Sequence, residues 1–315
     1  MRSLMKHLRS PVTRWVFLAL ALGLAAYAVI VNWADLVDAA RQMSIASLLL
    51  ALLASIAYVF LTLLSWKAVL ADLGTHLSHR SALAVFGLSQ VGKYVPGGVW
   101  NIVAAAELGA DHEIPRRRSV AAMAVTVLIS IVSGLAIGTL AVAYAPSGAL
   151  SGWTWIAWAA PVFVVLLFPP VTNRCIALAF RILRRPPLET PLSARGMLRA
   201  VTWAALAWVV AGLQVWLVAV ELGMVADMRT FALAIGGYSL AWVVGFMVIL
   251  VPAGAGAREG VLLAILVGSL PGGATILLVL VSRALLTLVD LGYAAAGGLV
   301  ARQARKTLAS APREG

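Results

Sequence analysis

The sequence predicts an all-α polytopic membrane protein, with about six full transmembrane helices and two broken or re-entrant helix hairpins in two inverted repeats. Three observations predict this class. Of the 315 residues, 62% are hydrophobic and only 11% charged, where a soluble domain carries roughly a quarter charged residues. Apolar runs of about 20 residues recur along the chain, the length that crosses a ~30 Å hydrocarbon core. Two further runs are interrupted at mid-length by proline and glycine. Mean hydropathy is +0.98.

The elements lie in order within a single membrane domain. Residues 1–44 form an N-terminal helix and an external loop. Arg2, Lys6 and Arg9 before the apolar run Trp15–Val31 imitate a signal peptide. The stretch from Tyr27 to Trp33 makes a poor small-residue cleavage site, however, so the run reads as a retained first helix. Residues 45–144 form the first repeat, with spans at Ile45–Trp66 and Ser119–Tyr144 around a broken stretch at Ser81–Ala110. Residues 145–199 are a linker helix, Trp153–Val171, and a basic cytoplasmic loop. Residues 200–300 form the second repeat, with spans at Ala200–Val220 and Thr275–Val300 around a broken stretch at Thr230–Ser269. Residues 301–315 are a cytoplasmic tail.

The breaks fall at Pro96-Gly97-Gly98 and at Pro252-Ala253-Gly254-Ala255-Gly256. Proline removes an amide donor and disfavours helix in the residue before it, and glycine loosens the backbone after it. Each stretch therefore reads as two half-helices around an elbow. Neither half of the first is long enough to cross, so a re-entrant hairpin is expected. In the second, Thr230–Val251 is long enough to span alone, and both readings stay open.

The repeats are visible in sequence. Ala82-Leu-Ala-Val-Phe-Gly-Leu-Ser89 resembles Ala232-Leu-Ala-Ile-Gly-Gly-Tyr-Ser239, and each leads to a Val-Pro elbow. Upstream, Trp66 through Leu73-Gly74 resembles Trp216 through Leu222-Gly223. Paired broken helices in inverted repeats are the architecture of many secondary transporters, with the binding site near the midplane.

Charge orients the chain. The net charge of +12 comes from short basic clusters between apolar runs, which is a topology signal rather than a nucleic-acid-binding face. With the N-terminus inside, nineteen basic residues fall on the inner side, and only Arg41 and Arg229 on the outer. Both termini are therefore expected in the cytoplasm, and the membrane is expected to be a bacterial plasma membrane. The inner clusters, Arg116–Arg118 and Arg184–Arg185 among them, suit contact with anionic lipid.

Three cations remain inside apolar segments: Lys93, Arg258 and Arg283. An ionisable side chain there costs about 2.5–3.5 kcal/mol on insertion scales, so it faces a partner or a wet cavity. Lys93 precedes the first elbow, and Arg258 with Glu259 comes after the second. Arg283 and Asp290 share one face of the last helix, about 10 Å apart along the axis, too far for a simple direct pair. The half-helices after the elbows direct free amides and positive dipole ends inward. Together these features suit an anion, most simply a phosphate, and Trp100 and Asn101 stand where a headgroup would reach.

Several chemistries are excluded. Gly87-Leu-Ser-Gln-Val-Gly92-Lys93-Tyr94 nearly matches a phosphate-binding loop, but Tyr94 replaces the magnesium-holding Ser or Thr and no strand precedes it. His76, His79 and His112 lack the cysteines or acids that complete a metal site. No nucleophile–histidine arrangement is evident, and Cys175 is the only cysteine. No metal or cofactor is expected, and transport is favoured over catalysis. Gly134 and Gly138 suit close helix packing.

At Gly92-Lys-Tyr-Val-Pro-Gly-Gly-Val-Trp100 and Val251-Pro-Ala-Gly-Ala-Gly-Ala-Arg-Glu259, the sequence resembles the lysylphosphatidylglycerol synthetase/flippase transmembrane region family. The resemblance runs from about residue 15 to 300. It implies a lipid-handling membrane domain, in some members a flippase for aminoacylated phosphatidylglycerol; other relatives are associated with polyprenyl-linked sugars or hopanoids. By motif position, it implies that Lys93, Tyr94, Pro96, Trp100, Arg258 and Glu259 belong to a polar core. About 15 residues come after the last span, so the soluble aminoacyl transferase domain of bifunctional members is not expected.

The resulting expectation is a flippase-like translocase or lipid-binding transporter for an anionic-headgroup or polyprenyl-phosphate-linked lipid. Its expected substrate site comprises Lys93, Tyr94, Pro96, Trp100, Asn101, Arg258, Glu259, Arg283 and Asp290. The rival is a membrane-embedded transferase, or an accessory subunit, for which Asp111 and Glu113 are the available acids. Expected partners are the membrane lipid substrate, anionic cytoplasmic-face lipids, and a second copy or a separate lipid-modifying enzyme. Nucleic acid is not expected.

Overall fold

The computed structural model describes residues 27, 30–95, 100–144, 158, 160–182, 191–248 and 252–310. These form α1 (Trp33–Gln42), α2 (Ile45–Asp72), α3 (His79–Ser89) and a 3-10 turn (Gln90–Tyr94). Then come α4 (Trp100–Ala110), α5 (Arg116–Tyr144), α6 (Ala160–Leu166), α7 (Pro169–Ile182) and α8 (Ala194–Glu221). The chain continues through α9 (Met228–Met247), a second 3-10 turn (Pro252–Gly254), α10 (Ala257–Leu266) and α11 (Gly272–Ser310). No β-strand occurs among the described residues. Helices α2, α5, α8, α9 and α11 are long and apolar enough to cross a membrane.

Helix ends are set locally. Ser44, Ser78, Ser193 and Asp227 cap α2, α3, α8 and α9, each side chain accepting the N–H three residues on, one of the four orphan donors at a helix start. Hydrogen bonds from Thr230 hold the Asp227 carboxyl below its ordinary range. Helices α2 and α8 end alike. After α2, Thr75 N–H donates to Leu70 C=O and Gly74 N–H to Ala71 C=O; after α8, Met224 N–H donates to Ala219 C=O and Gly223 N–H to Val220 C=O. Gly74 (φ 90°) and Gly223 (φ 104°) supply the positive φ that this C-terminal motif requires.

Helices α2 and α8 make the most extensive packing contact among the described residues. They run antiparallel, and each helix's last residue clamps the other's start. Glu221 accepts from Ser44 N–H (2.8 Å) and the Ser47 hydroxyl (2.7 Å) at one end. Asp72 accepts from Ser193 N–H (2.7 Å) and the Ser193 hydroxyl (2.6 Å) at the other. Around this pair, α3 packs on α11 and α9 packs on α5. The polarity of α2 is that of a membrane helix. Leu49, Leu53, Ile56 and Phe60 form an exposed apolar stripe at helical spacing, while Tyr58, Trp66 and two serines are buried. In water such a stripe is an exposed patch; in lipid it is matched to its solvent.

One expected span differs, one falls outside the described residues, and one open choice is narrowed. Trp15–Val31 lies almost wholly outside the described residues, as does the first half of Trp153–Val171. The described part of the latter is not one helix: α6 stops at Leu166 and α7 starts at Pro169-Pro170. Neither proline can donate the helical hydrogen bond that continuity needs, and both suit a first turn. In the second broken stretch, α9 has 20 residues and is long enough to cross alone, whereas α10 has 10. The first stretch is symmetric and short, with 11 residues in each of α3 and α4.

Candidate functional site

The two 3-10 turns that follow the first half-helices lie against each other, both of them partly buried. Close backbone approach builds both. A Cβ on Gly92 would stand 2.5 Å from Asn101 N, so the first hairpin folds back only on a glycine. A Cβ on Gly254 would stand 2.6 Å from the Gly245 carbonyl, which presses the second elbow onto the end of α9. Ala253 (φ 49°), Gly254 (φ 68°) and Gly256 (φ 83°) turn the chain there through the left-handed region. Pro96, Gly97 and Gly98, the centre of the first elbow, lie outside the described residues.

Helix α11 passes beside both elbows and is tied to each. Asp290 accepts from Lys93 Nζ, at 3.1 Å to Oδ1 and 3.4 Å to Oδ2, and from the Tyr94 hydroxyl at 3.0 Å. Two turns earlier, Arg283 Nη1 donates to Ala253 C=O (3.2 Å), and its Nε lies 3.4 Å from Glu259 Oε1. Glu259 Oε2 accepts the Gly256 N–H at 2.7 Å. Arg283 and Asp290 thus each meet partners on a different elbow rather than each other.

Arg258 is placed differently. Its Nη2 donates to the Tyr238 hydroxyl, and its Cζ lies 4.6 Å from the Tyr238 ring centroid. Among the described residues, no carboxylate stands within ion-pairing distance of it, unlike Lys93 and Arg283.

These groups border an open cleft of about 850 Å³, its mouth included. Lys93, Tyr94, Asn101, Arg258, Arg283 and Asp290 line it. Its depth is marked by Tyr58, which also lines it and sits midway along the 28 residues of α2. Trp100 does not line the cleft and is half exposed. Glu259 does not line it either, and reaches it through Arg283. Asp111 and Glu113 lie in the exposed turn after α4, away from it.

The cleft's aromatic wall was not foreseen. Tyr58 meets Tyr238 edge-on at 5.9 Å, and Trp242 stacks on Phe246 at 5.4 Å; all four line the cleft. One signal existed. Tyr238 is the one position where the two resembling segments exchange an apolar for a hydroxyl-bearing side chain, opposite Leu88. Tyr58 is a phenol inside an otherwise apolar span. Trp242 and Phe246 carried no signal, since aromatic residues on an apolar helix usually pack a core.

Among the described residues, no group of three or more histidines, cysteines or acids is placed to hold a metal. What the cleft offers is cationic and hydrogen-bonding chemistry at mid-depth, open to the surroundings of a membrane helix bundle. No match emerges among curated proteins. Residues 16–292 match the family described as Lysylphosphatidylglycerol synthase TM region. A helical bundle of apolar spans, matched over most of its length, is a multi-pass membrane protein of lipid-related function: the chain belongs to the lysylphosphatidylglycerol synthase transmembrane region family.

Proposed function

We propose that this protein is a flippase-like translocase of the bacterial plasma membrane for a lipid with an anionic, phosphate-bearing headgroup. Arg258 carries the reading. It is a guanidinium facing a mid-depth cleft with a phenol rather than a carboxylate as its partner. A cation in that position without a counter-charge is costly, and a ligand anion removes the cost. The lipid phosphate sits at Arg258 between the two elbows, and the acyl or prenyl tails stay in the bilayer.

Alternating access comes from treating residues 45–144 and 200–300 as inverted repeats. The reciprocal clamps of α2 and α8 and the crossed packing of α3 with α11 and α9 with α5 support that symmetry. Rocking about the α2–α8 pair exchanges which side of the cleft is open. Both termini lie in the cytoplasm on this reading, by the distribution of basic residues.

The test is transbilayer movement in liposomes. Purified protein should accelerate movement of a labelled anionic phospholipid beyond an unrelated helical membrane protein at equal density. Arg283→Gln and Asp290→Asn should each slow it, because each leaves an elbow without its tie to α11. No acceleration for any phosphate-bearing lipid would overturn translocation. Covalent change in the lipid during the assay would point to a membrane-embedded transferase instead.

A further inference from the structure

Resting on that reading, we infer that the cleft selects a lipid phosphodiester of single negative charge. It disfavours phosphomonoesters and headgroups that carry amines. The balance of charge at the cleft sets this preference. Three cations border the cleft: Lys93, Arg258 and Arg283. Two carboxylates answer them, Asp290 to Lys93 at 3.1 Å and Glu259 to Arg283 at 3.4 Å. Among the described residues, Asp290 is the only acid that lines the cleft and Glu259 reaches it through Arg283; residues 96–99 and 249–251 are all uncharged in sequence. One positive charge is left over, on Arg258.

The remaining donors are arranged for one phosphate. An arginine has five N–H groups in a fork that matches two phosphate oxygens at once. Arg258 gives one donor to Tyr238, which positions the guanidinium, and among the described residues no acceptor engages the rest. A phosphodiester monoanion leaves the site neutral. A phosphomonoester dianion leaves one negative charge uncompensated beside Asp290. A lysyl ester of phosphatidylglycerol, with two ammonium groups and one phosphate, adds positive charge to a site already in excess. Charge left uncompensated among partly buried ion pairs weakens binding. The aromatic wall of Tyr58, Trp242 and Phe246 accepts an uncharged substituent on the second ester, whether glycerol or a sugar.

Native mass spectrometry of the full chain in lipid nanodiscs tests this. The probes are phosphatidylglycerol, a monoglycosyl polyprenyl phosphate, phosphatidic acid and lysylphosphatidylglycerol. At least one of the two diesters should bind about tenfold or more tightly than both phosphatidic acid and lysylphosphatidylglycerol. Which diester ranks first identifies the source of the phosphate. Asp290→Asn releases Lys93 and raises the excess to two positive charges, so the order should swing toward phosphatidic acid. Phosphatidic acid or lysylphosphatidylglycerol binding the wild type as well as the better diester would overturn the inference while leaving lipid binding intact. So would an unchanged order in a folded Asp290→Asn variant. The wild-type ranking decides the matter even where that variant does not fold. Binding of none of the four would overturn both this inference and the translocase reading.

Discussion

Lys93 and Asp290 stand 197 residues apart in sequence and 3.1 Å apart in space. The pair is asymmetric in exposure, since the lysine side chain is 33% exposed and the aspartate only 10%. Removing Lys93 therefore strands a nearly buried carboxylate with Tyr94 alone, while removing Asp290 frees an ammonium that can still reach water. Lys93→Gln should destabilise the protein more than Asp290→Asn, by less than the ~3–5 kcal/mol of a fully buried pair. The double variant should lose less than the sum. Thermal melting of the four proteins in one detergent measures this. Additive losses would mean that the two side chains are not coupled. Both residues were legible in the sequence as ionisable groups in apolar runs; their pairing was not, because nothing in local spacing reports which distant element packs alongside.

At the scale of elements, two glycines separate conformational strain from crowding. Gly223 has φ 104° and no neighbour within 4 Å of an added Cβ, so Gly223→Ala costs backbone strain alone, about 1–2 kcal/mol. Gly254 has φ 68° and would also drive its Cβ to 2.6 Å from the Gly245 carbonyl. Gly254→Ala should lower the melting temperature further and reduce phospholipid co-purification, because the displaced elbow carries Arg258 and the Ala253 carbonyl. Gly223→Ala should leave co-purification unchanged. Equal lipid loss in both variants would sever the link between elbow geometry and the cleft. The resemblance of Trp66 through Gly74 to Trp216 through Gly223 has a local cause here: the same C-terminal hydrogen-bond motif ends α2 and α8. The break after Leu166 was missed because the run Trp153–Val171 is almost wholly apolar, and Pro169-Pro170 stand too near its end to mark a turn.

For the whole molecule, relative sidedness can be read from geometry before any charge rule is applied. Ser78 comes after the end of α2 that Asp72 clamps to Ser193. Ser269 precedes α11, whose Gly273 lies against Asp35 of α1, near the end where Glu221 meets Ser44. Single cysteines at Ser78 and Ser269, on a Cys175→Ser background, should therefore label from opposite sides with an impermeant maleimide. Ser269→Cys should react in intact cells and Ser78→Cys only after permeabilisation. The reverse pattern would invert the orientation read from basic residues, and labelling of both from one side would remove the antiparallel arrangement of α2 and α8.

Local features of the chain were enough to mark the spans that became α2, α5, α8 and α11, the second elbow, and the ionisable groups at the cleft. Runs of apolar residues long enough for the hydrocarbon core locate the spans, proline and glycine locate the elbows, and ionisable residues inside apolar runs locate the polar groups. Packing alone revealed that α11 ties both elbows, that an aromatic wall lines the cleft, and that Arg258 is, among the described residues, the cleft cation with no paired carboxylate. The difference arises because counter-charges in a bundle are shared between helices. Each pairing depends on which separate elements come to lie side by side, and only that arrangement assigns the carboxylates to Lys93 and Arg283 and gives Arg258 a phenol instead.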